Sequence, residues 1–157
     1  MTGYGYTYPN YCPLTLATRI CREHDWLLQG IRFYTGIPDT GHDDFWYQFW
    51  TAKLGTLGHR GITVYSRTLR YRNQVFKLPD GNTWSGLVAD EKGIDVRIAL
   101  DVVRMARQDQ YDVAIIFSQD QDFSEVADEI RALRGESGRW IKIASAFPVS
   151  STSRNRR

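Results

Sequence analysis

Nowhere in its 157 residues does the chain approach the roughly 20 consecutive apolar residues that a membrane-spanning helix needs, so no membrane is expected among its partners. Its opening residues carry neither the basic segment nor the apolar run of a secretory leader, and a cytoplasmic location is the expectation. Cysteine is scarce. Cys12 and Cys21 lack metal-site spacing, and in a cytosolic protein both are expected to stay reduced. The three histidines, His24, His42 and His59, are scattered and supply no ligand pattern. None lies near Ser118 in sequence, which argues against a serine nucleophile there. Between Phe45 and Pro79 no acidic residue occurs. No internal repeat is visible.

What is present suits one domain. The apolar fraction of 42% and aromatic fraction of 13% suffice for a core. The expected organisation is a domain over residues 1–149 followed by a basic, flexible tail over 150–157. The net charge of +2 hides a separation of signs. Lys53, Arg60, Arg67, Arg70, Arg72 and Lys77 occupy the acid-free stretch, whereas acids dominate from Asp90 to Glu129. A basic arm beside an acidic centre suits an enzyme that grips a polyanion and holds cations where it reacts. Ordinary surface patchiness would look the same.

Along the chain, Pro13 stands where a helix can begin, and Leu14, Ala17, Ile20 and Cys21 share one helical face. Residues 26–34 read as a buried strand ended by Gly36 and Pro38. Asp43 is placed to cap a helix carrying Phe45, Trp46, Phe49, Trp50 and Leu54, and a short strand follows at Ile62 to Tyr65. Residues 67–84 break the rhythm, with β-formers on both sides of Pro79-Asp80-Gly81-Asn82, a turn signal. They predict a hairpin or arm inserted at about 67–88. The rhythm resumes with a helix over 95–108, a strand over 112–117, a helix over 123–133 and a strand over 140–146. Alternating strands and helices predict an α/β fold with a mainly parallel central sheet flanked by helices. Val113 to Phe117 is continuously apolar, as a strand covered on both faces should be. Ligands of such sheets sit beyond the carboxyl ends of the strands, which directs attention to the residues just after Phe117.

There stands Ser118-Gln119-Asp120-Gln121-Asp122-Phe123. Two acids one residue apart on a turn can converge on a hard divalent ion such as Mg²⁺ or Mn²⁺, which wants oxygen ligands. Asp122 has a competing explanation as a helix cap, with Glu125 three residues on completing a capping box. Asp120 has only the general preference of turns for Asp. At 100° per residue, Asp95 falls on the apolar face formed by Ala99, Val102, Val103 and Ala106, a costly place for a carboxylate unless it is paired, holds a cation or caps the helix. Asp101 shares the polar face with Arg97 and Arg104 and reads as part of a solvated ion-pair row. Glu91 and Lys92 precede this helix; Lys92 is either phosphate-facing or simply exposed. In the arm, Arg67, Arg70, Arg72 and Lys77 alternate with Tyr65, Tyr71, Phe76 and Trp84, a pattern that neutralises phosphates and stacks on unpaired bases, or that covers the domain's own core.

These motifs converge on a family. Glu91-Lys92-Gly93-Ile94-Asp95-Val96 with Leu100-Asp101, then Tyr111 to Ile116 and Ser118 to Phe123, resemble the NYN domain, and most closely its LabA-like branch within the PIN-like nuclease superfamily. Phe33 to Pro38 and the closing Ser151 to Arg157 are similar to that branch too. The resemblance implies a PIN-like three-layer sandwich, an acidic cluster binding Mg²⁺ or Mn²⁺, and action on RNA. Asp95, Asp120 and Asp122 fall on the family's acidic positions, as catalytic and metal-binding residues. Asp101, Glu91, Lys92 and Ser118 are supporting candidates, and Arg67, Arg70, Arg72, Lys77 and Tyr71 are candidates for gripping single-stranded RNA. Gln119 and Gln121 depart from the family's Ser-Gly-Asp-Ser-Asp-Phe. The family's first strand, ending in an Asp, is expected to be missing here. Asp39 is a weak substitute for that acid, and the open sheet edge predicts pairing with another segment, a homodimer included. The expected activity is metal-dependent endoribonuclease. The alternative is a catalytically inactive NYN fold that binds nucleic acid or protein.

Overall fold

In the computed structural model, residues 11–118 and 120–147 are described. The expected tail at 150–157 lies outside them, as does Gln119. The chain divides into two compact units, residues 1–92 and 93–157. Four helices and six strands occur among the described residues.

The first unit begins with α1 (Pro13–Glu23), Pro13 at its first turn losing no needed N–H. Strand β1 (Arg32–Ile37) follows. It starts later than the expected 26–34 stretch. Asp25 turns the chain with φ 58°, Trp26 stacks on His24 at 4.5 Å, and Leu27 is 86% exposed, so these apolar residues belong to a loop. Asp43 caps α2 (Asp44–His59) as predicted, accepting the Trp46 amide at 3.1 Å. Strand β2 (Thr63–Thr68) pairs in parallel with β1, the helix serving as the crossover that parallel strands require. Leu54, Leu57 and Ile62 form the buried core here, with Leu14, Ile31, Phe33, Ile37, Trp50 and Val64 packed around it.

The expected hairpin is present. Strands β3 (Arg70–Lys77) and β4 (Thr83–Asp90) pair antiparallel from Arg70↔Asp90 to Lys77↔Thr83. Asp80 fixes the turn by accepting the Asn82 amide at 2.9 Å, and those bonds hold its carboxyl below the usual carboxylate range.

The second unit comprises α3 (Ile94–Arg107), β5 (Val113–Ile116), α4 (Phe123–Ser137) and β6 (Lys142–Ser145). β5 and β6 pair in parallel across α4, from Val113↔Lys142 to Ile116↔Ser145. Ala106, Tyr111, Val126, Ile130 and Ile141 make its core, joined by Ala99, Val102 and Val103 of the predicted apolar face of α3. Tyr111 donates its hydroxyl to the Val102 carbonyl at 3.0 Å, and burial pushes that phenol up to about 12.

The fold is thus mixed α/β. Among the described residues its strands form three two-stranded sheets, two parallel and one antiparallel. Each parallel pair is locally complete as a strand–helix–strand unit, and among the described residues each of its strands pairs along one edge only. No described helix is long and apolar enough to cross a membrane.

Both cysteines are free thiols. Cys12 sits at the N-cap of α1 without a side-chain cap bond, and the nearby Thr15 hydroxyl and amide, opposed by slight burial and aided by the Leu14 amide and the Arg60 guanidinium at 3.5 Å, bring its pKa down to about 7. The thiolate is the nucleophile, so iodoacetamide alkylation of Cys12 in a Cys21→Ser background should rise with pH to a midpoint near 7 and then level off. Thr15→Val should move that midpoint upward; an unmoved midpoint would contradict the assignment.

Candidate functional site

Strand β5 ends at the buried Ile116, and the chain leaves it through Phe117 and Ser118. Ser145, the last residue of the neighbouring β6, donates its hydroxyl to the Ser118 carbonyl at 2.5 Å. Ser118 Oγ in turn accepts the Asp120 amide at 3.0 Å, and Asp120 Oδ1 accepts the Asp122 amide at 3.0 Å. Serine, aspartate and aspartate are therefore held in sequence on one turn at the carboxyl edge of the β5–β6 pair. Both carboxylates are exposed.

The capping explanation for Asp122 fails. Asp122 already has helical angles, φ −63° and ψ −20°, and its side chain makes no cap bond. A capping residue needs an extended backbone to reach back to the helix amides. The carboxylate is therefore not committed to a cap, and Asp120 has one oxygen committed to the Asp122 amide and one outside that bond.

Asp95 corrects the sequence expectation. It does not point into a core but is exposed in the first turn of α3, one position after the buried Ile94. The predicted face packs from Ala99 onward, while Val96 and Leu100 are 57% and 62% exposed. Nor is Asp95 a cap. That position belongs to Gly93, whose φ of 76° suits glycine and which offers no side chain. An acid in the first turn is favoured by the helix dipole whatever else it does.

Asp101 is the second correction. Its side chain is not solvated: the residue is 3% exposed, the one buried charged residue among those described. The row partners are right. Arg97 Nε donates to Asp101 Oδ2 at 3.0 Å and Arg104 Nη2 to Oδ1 at 2.7 Å. A carboxylate with both oxygens bound to guanidinium groups is built for structure and is poorly placed to ligate an ion.

A hard divalent cation asks for carboxylate oxygens, and the chemistry of Asp95, Asp120 and Asp122 fits it. Their geometry fits in part. Asp120 and Asp122 are brought together on one turn, but among the described residues no three His, Cys, Asp or Glu side chains converge into a metal-holding group.

The remaining candidates belong to the first unit. Glu91 accepts the Gly36 amide at 2.5 Å, which seats its carboxylate against the end of β1. Lys92 and Arg72 both pair with Asp90, at 3.6 and 3.3 Å. Arg67 donates to the Tyr65 hydroxyl at 2.8 Å and lies over that ring. Arg70 and Lys77 have no ion pair among the described residues. Tyr71 is less available than the sequence suggested, because the His42 ring covers one of its faces at 3.7 Å, nearly parallel. Asp39 holds His42 through Nδ1 at 2.8 Å, and this bond keeps the Asp39 carboxyl below its ordinary range. Asp39 also accepts the Gly41 and His42 amides, so it is spent on its own turn. Sequence reasoning missed the His42–Tyr71 stack, since two residues 29 apart carry no shared local pattern.

No curated protein and no solved structure matches the chain. The NYN domain matches residues 22–156, a span that contains both strand–helix–strand units, the hairpin and every candidate acid. The chain therefore belongs to the NYN domain family.

Proposed function

We propose that this NYN domain is a divalent-metal-dependent endoribonuclease that hydrolyses phosphodiester bonds in single-stranded RNA. The observation that carries the reading is the turn after β5, where Asp120 and Asp122 are fixed side by side with neither carboxylate spent on capping. Membership of the family supports nuclease chemistry at the coarse level. Asp120 and Asp122 would hold Mg²⁺ or Mn²⁺, with Asp95 as a further ligand, directly or through water. When bound, the ion supplies Lewis acidity toward a phosphate oxygen and toward water. Ser118 holds the turn in shape through the Asp120 amide, and Arg70 and Lys77, free of acidic partners among the described residues, supply cations for the RNA backbone. The finer placement in the LabA-like branch, and a PIN-like three-layer sandwich, rest on the motifs and on the two strand–helix–strand units. The strand edges left unpaired among the described residues support pairing with a further segment, a second copy of the chain among them.

One observation favours a second reading, a binding module without cleavage: three acids do not converge among the described residues. Labelled single-stranded RNA incubated with the chain and Mn²⁺ separates the two. Internal cleavage that stops with EDTA supports the nuclease. Intact RNA, bound tightly and released by salt, would overturn it in favour of the binding module.

A further inference from the structure

One face of the hairpin combines features that neither strand has alone. Side chains alternate across a strand, so the register puts Arg70, Arg72, Gln74 and Phe76 of β3 on the same side as Trp84, Gly86, Val88 and Asp90 of β4. Phe76 and Trp84 are directly opposite. Their rings lie 5.6 Å apart at 31°, and the residues are 42% and 50% exposed. Gly86 is two residues along from Trp84 on this side. A Cβ there would run into the Trp84 indole, so the ring leans down over the bare backbone of Gly86. The missing side chain is what lets the indole lie along the sheet.

We propose that Phe76 and Trp84, seated on Gly86, are a stacking site for an unpaired base of single-stranded RNA. This rests on the reading of the chain as an RNA-acting domain and names a contact which that reading does not require. Large aromatic rings this exposed among the described residues are well suited to stack on bases. Charge selects a polyanion over an apolar protein segment. Arg70 and Arg72 share this face, the Arg72 side chain is 57% exposed, and the one acid on it, Asp90, is already paired with Arg72 and Lys92. Arg72 is four residues from Phe76, roughly 13 Å by the rise of a strand, close enough for a backbone phosphate of the strand whose base is stacked. The opposite face carries Val75 and Leu87, 67% and 53% exposed, with Lys77 as its only charged residue. Its ring on these strands, Tyr71, is already covered on one side by His42.

The test uses the full chain and fluorescein-labelled single-stranded oligouridylate, with anisotropy read in EDTA so that binding is independent of cleavage. Trp84→Ala should weaken binding about tenfold or more, and Trp84→Phe should restore most of it. Gly86→Val keeps both rings and favours a strand but displaces the indole, and should weaken binding about as much as Trp84→Ala. A duplex of the same length should be insensitive to all three changes. Equal affinity of wild type, Trp84→Ala and Gly86→Val for the single strand would overturn the stacking site, and would leave the nuclease reading intact if Mn²⁺-dependent cleavage persists. A wild-type chain that binds no RNA would overturn both.

Discussion

Asp120→Asn is expected to lower kcat/KM for RNA cleavage by about 10²-fold or more, while the chain stays folded and its affinity for RNA in EDTA is unchanged. The magnitude follows from the position. Altering even an outer partner of a metal ligand typically costs 10–100-fold, so removing a ligand's charge should cost at least as much. The specificity follows from the local bonds. Asparagine keeps an oxygen to accept the Asp122 amide, and the Asp120 amide still reaches Ser118 Oγ, so the turn survives. Asp122→Asn should act comparably, because its carboxylate caps nothing that the substitution would free. Steady-state cleavage with circular dichroism and anisotropy as controls checks this. Wild-type rates in Asp120→Asn would remove this turn from the chemistry.

The second large effect is on stability. Replacing both Arg97 and Arg104 with Met should destabilise the chain by about 3 kcal/mol, since it takes two guanidinium partners from a buried carboxylate. For a chain of this size that corresponds to a melting temperature lower by roughly 6–12 °C. Asp101→Asn should cost less, because the guanidinium groups it releases are already 34% and 51% exposed and can turn to water. Changing all three, Asp101 to Leu with both arginines to Met, should recover much of the loss. Thermal melts of the three variants check the order. If Asp101→Asn leaves stability alone but abolishes cleavage, Asp101 belongs to the reaction centre and the structural assignment is wrong.

Those two carboxylates show what a sequence can and cannot disclose here. The helical positions of Asp95 and Asp101 were readable, and so was the apolar face at Ala99, Val102, Val103 and Ala106. Burial was not. A helical wheel treats all turns of α3 alike, whereas the face that joins the core of the second unit starts at Ala99 and leaves Asp95 in the open, and Asp101 is enclosed despite lying in a charged row. The Asp43 cap and the Asp80 turn were legible because both are decided within four residues. The start of β1 was not, since Trp26 and Leu27 look like strand but are diverted by a left-handed Asp25. The Asp122 cap failed for a related reason: residue type and spacing specify a capping box, but the backbone angle at Asp122 decides it. Pairing across the hairpin, with the indole of Trp84 on Gly86, needs the register, which composition does not supply.

The central claim is that the turn after β5 holds a divalent ion, and its most direct test is Mn²⁺-induced broadening of backbone amide resonances in the isotope-labelled chain. The account predicts that substoichiometric Mn²⁺ broadens Asp120, Asp122 and Phe123 first, with Asp95 among the next, and that Asp120→Asn abolishes this order. Broadening that begins elsewhere, for instance at the exposed Asp128 of α4, and that Asp120→Asn leaves unchanged, would contradict it.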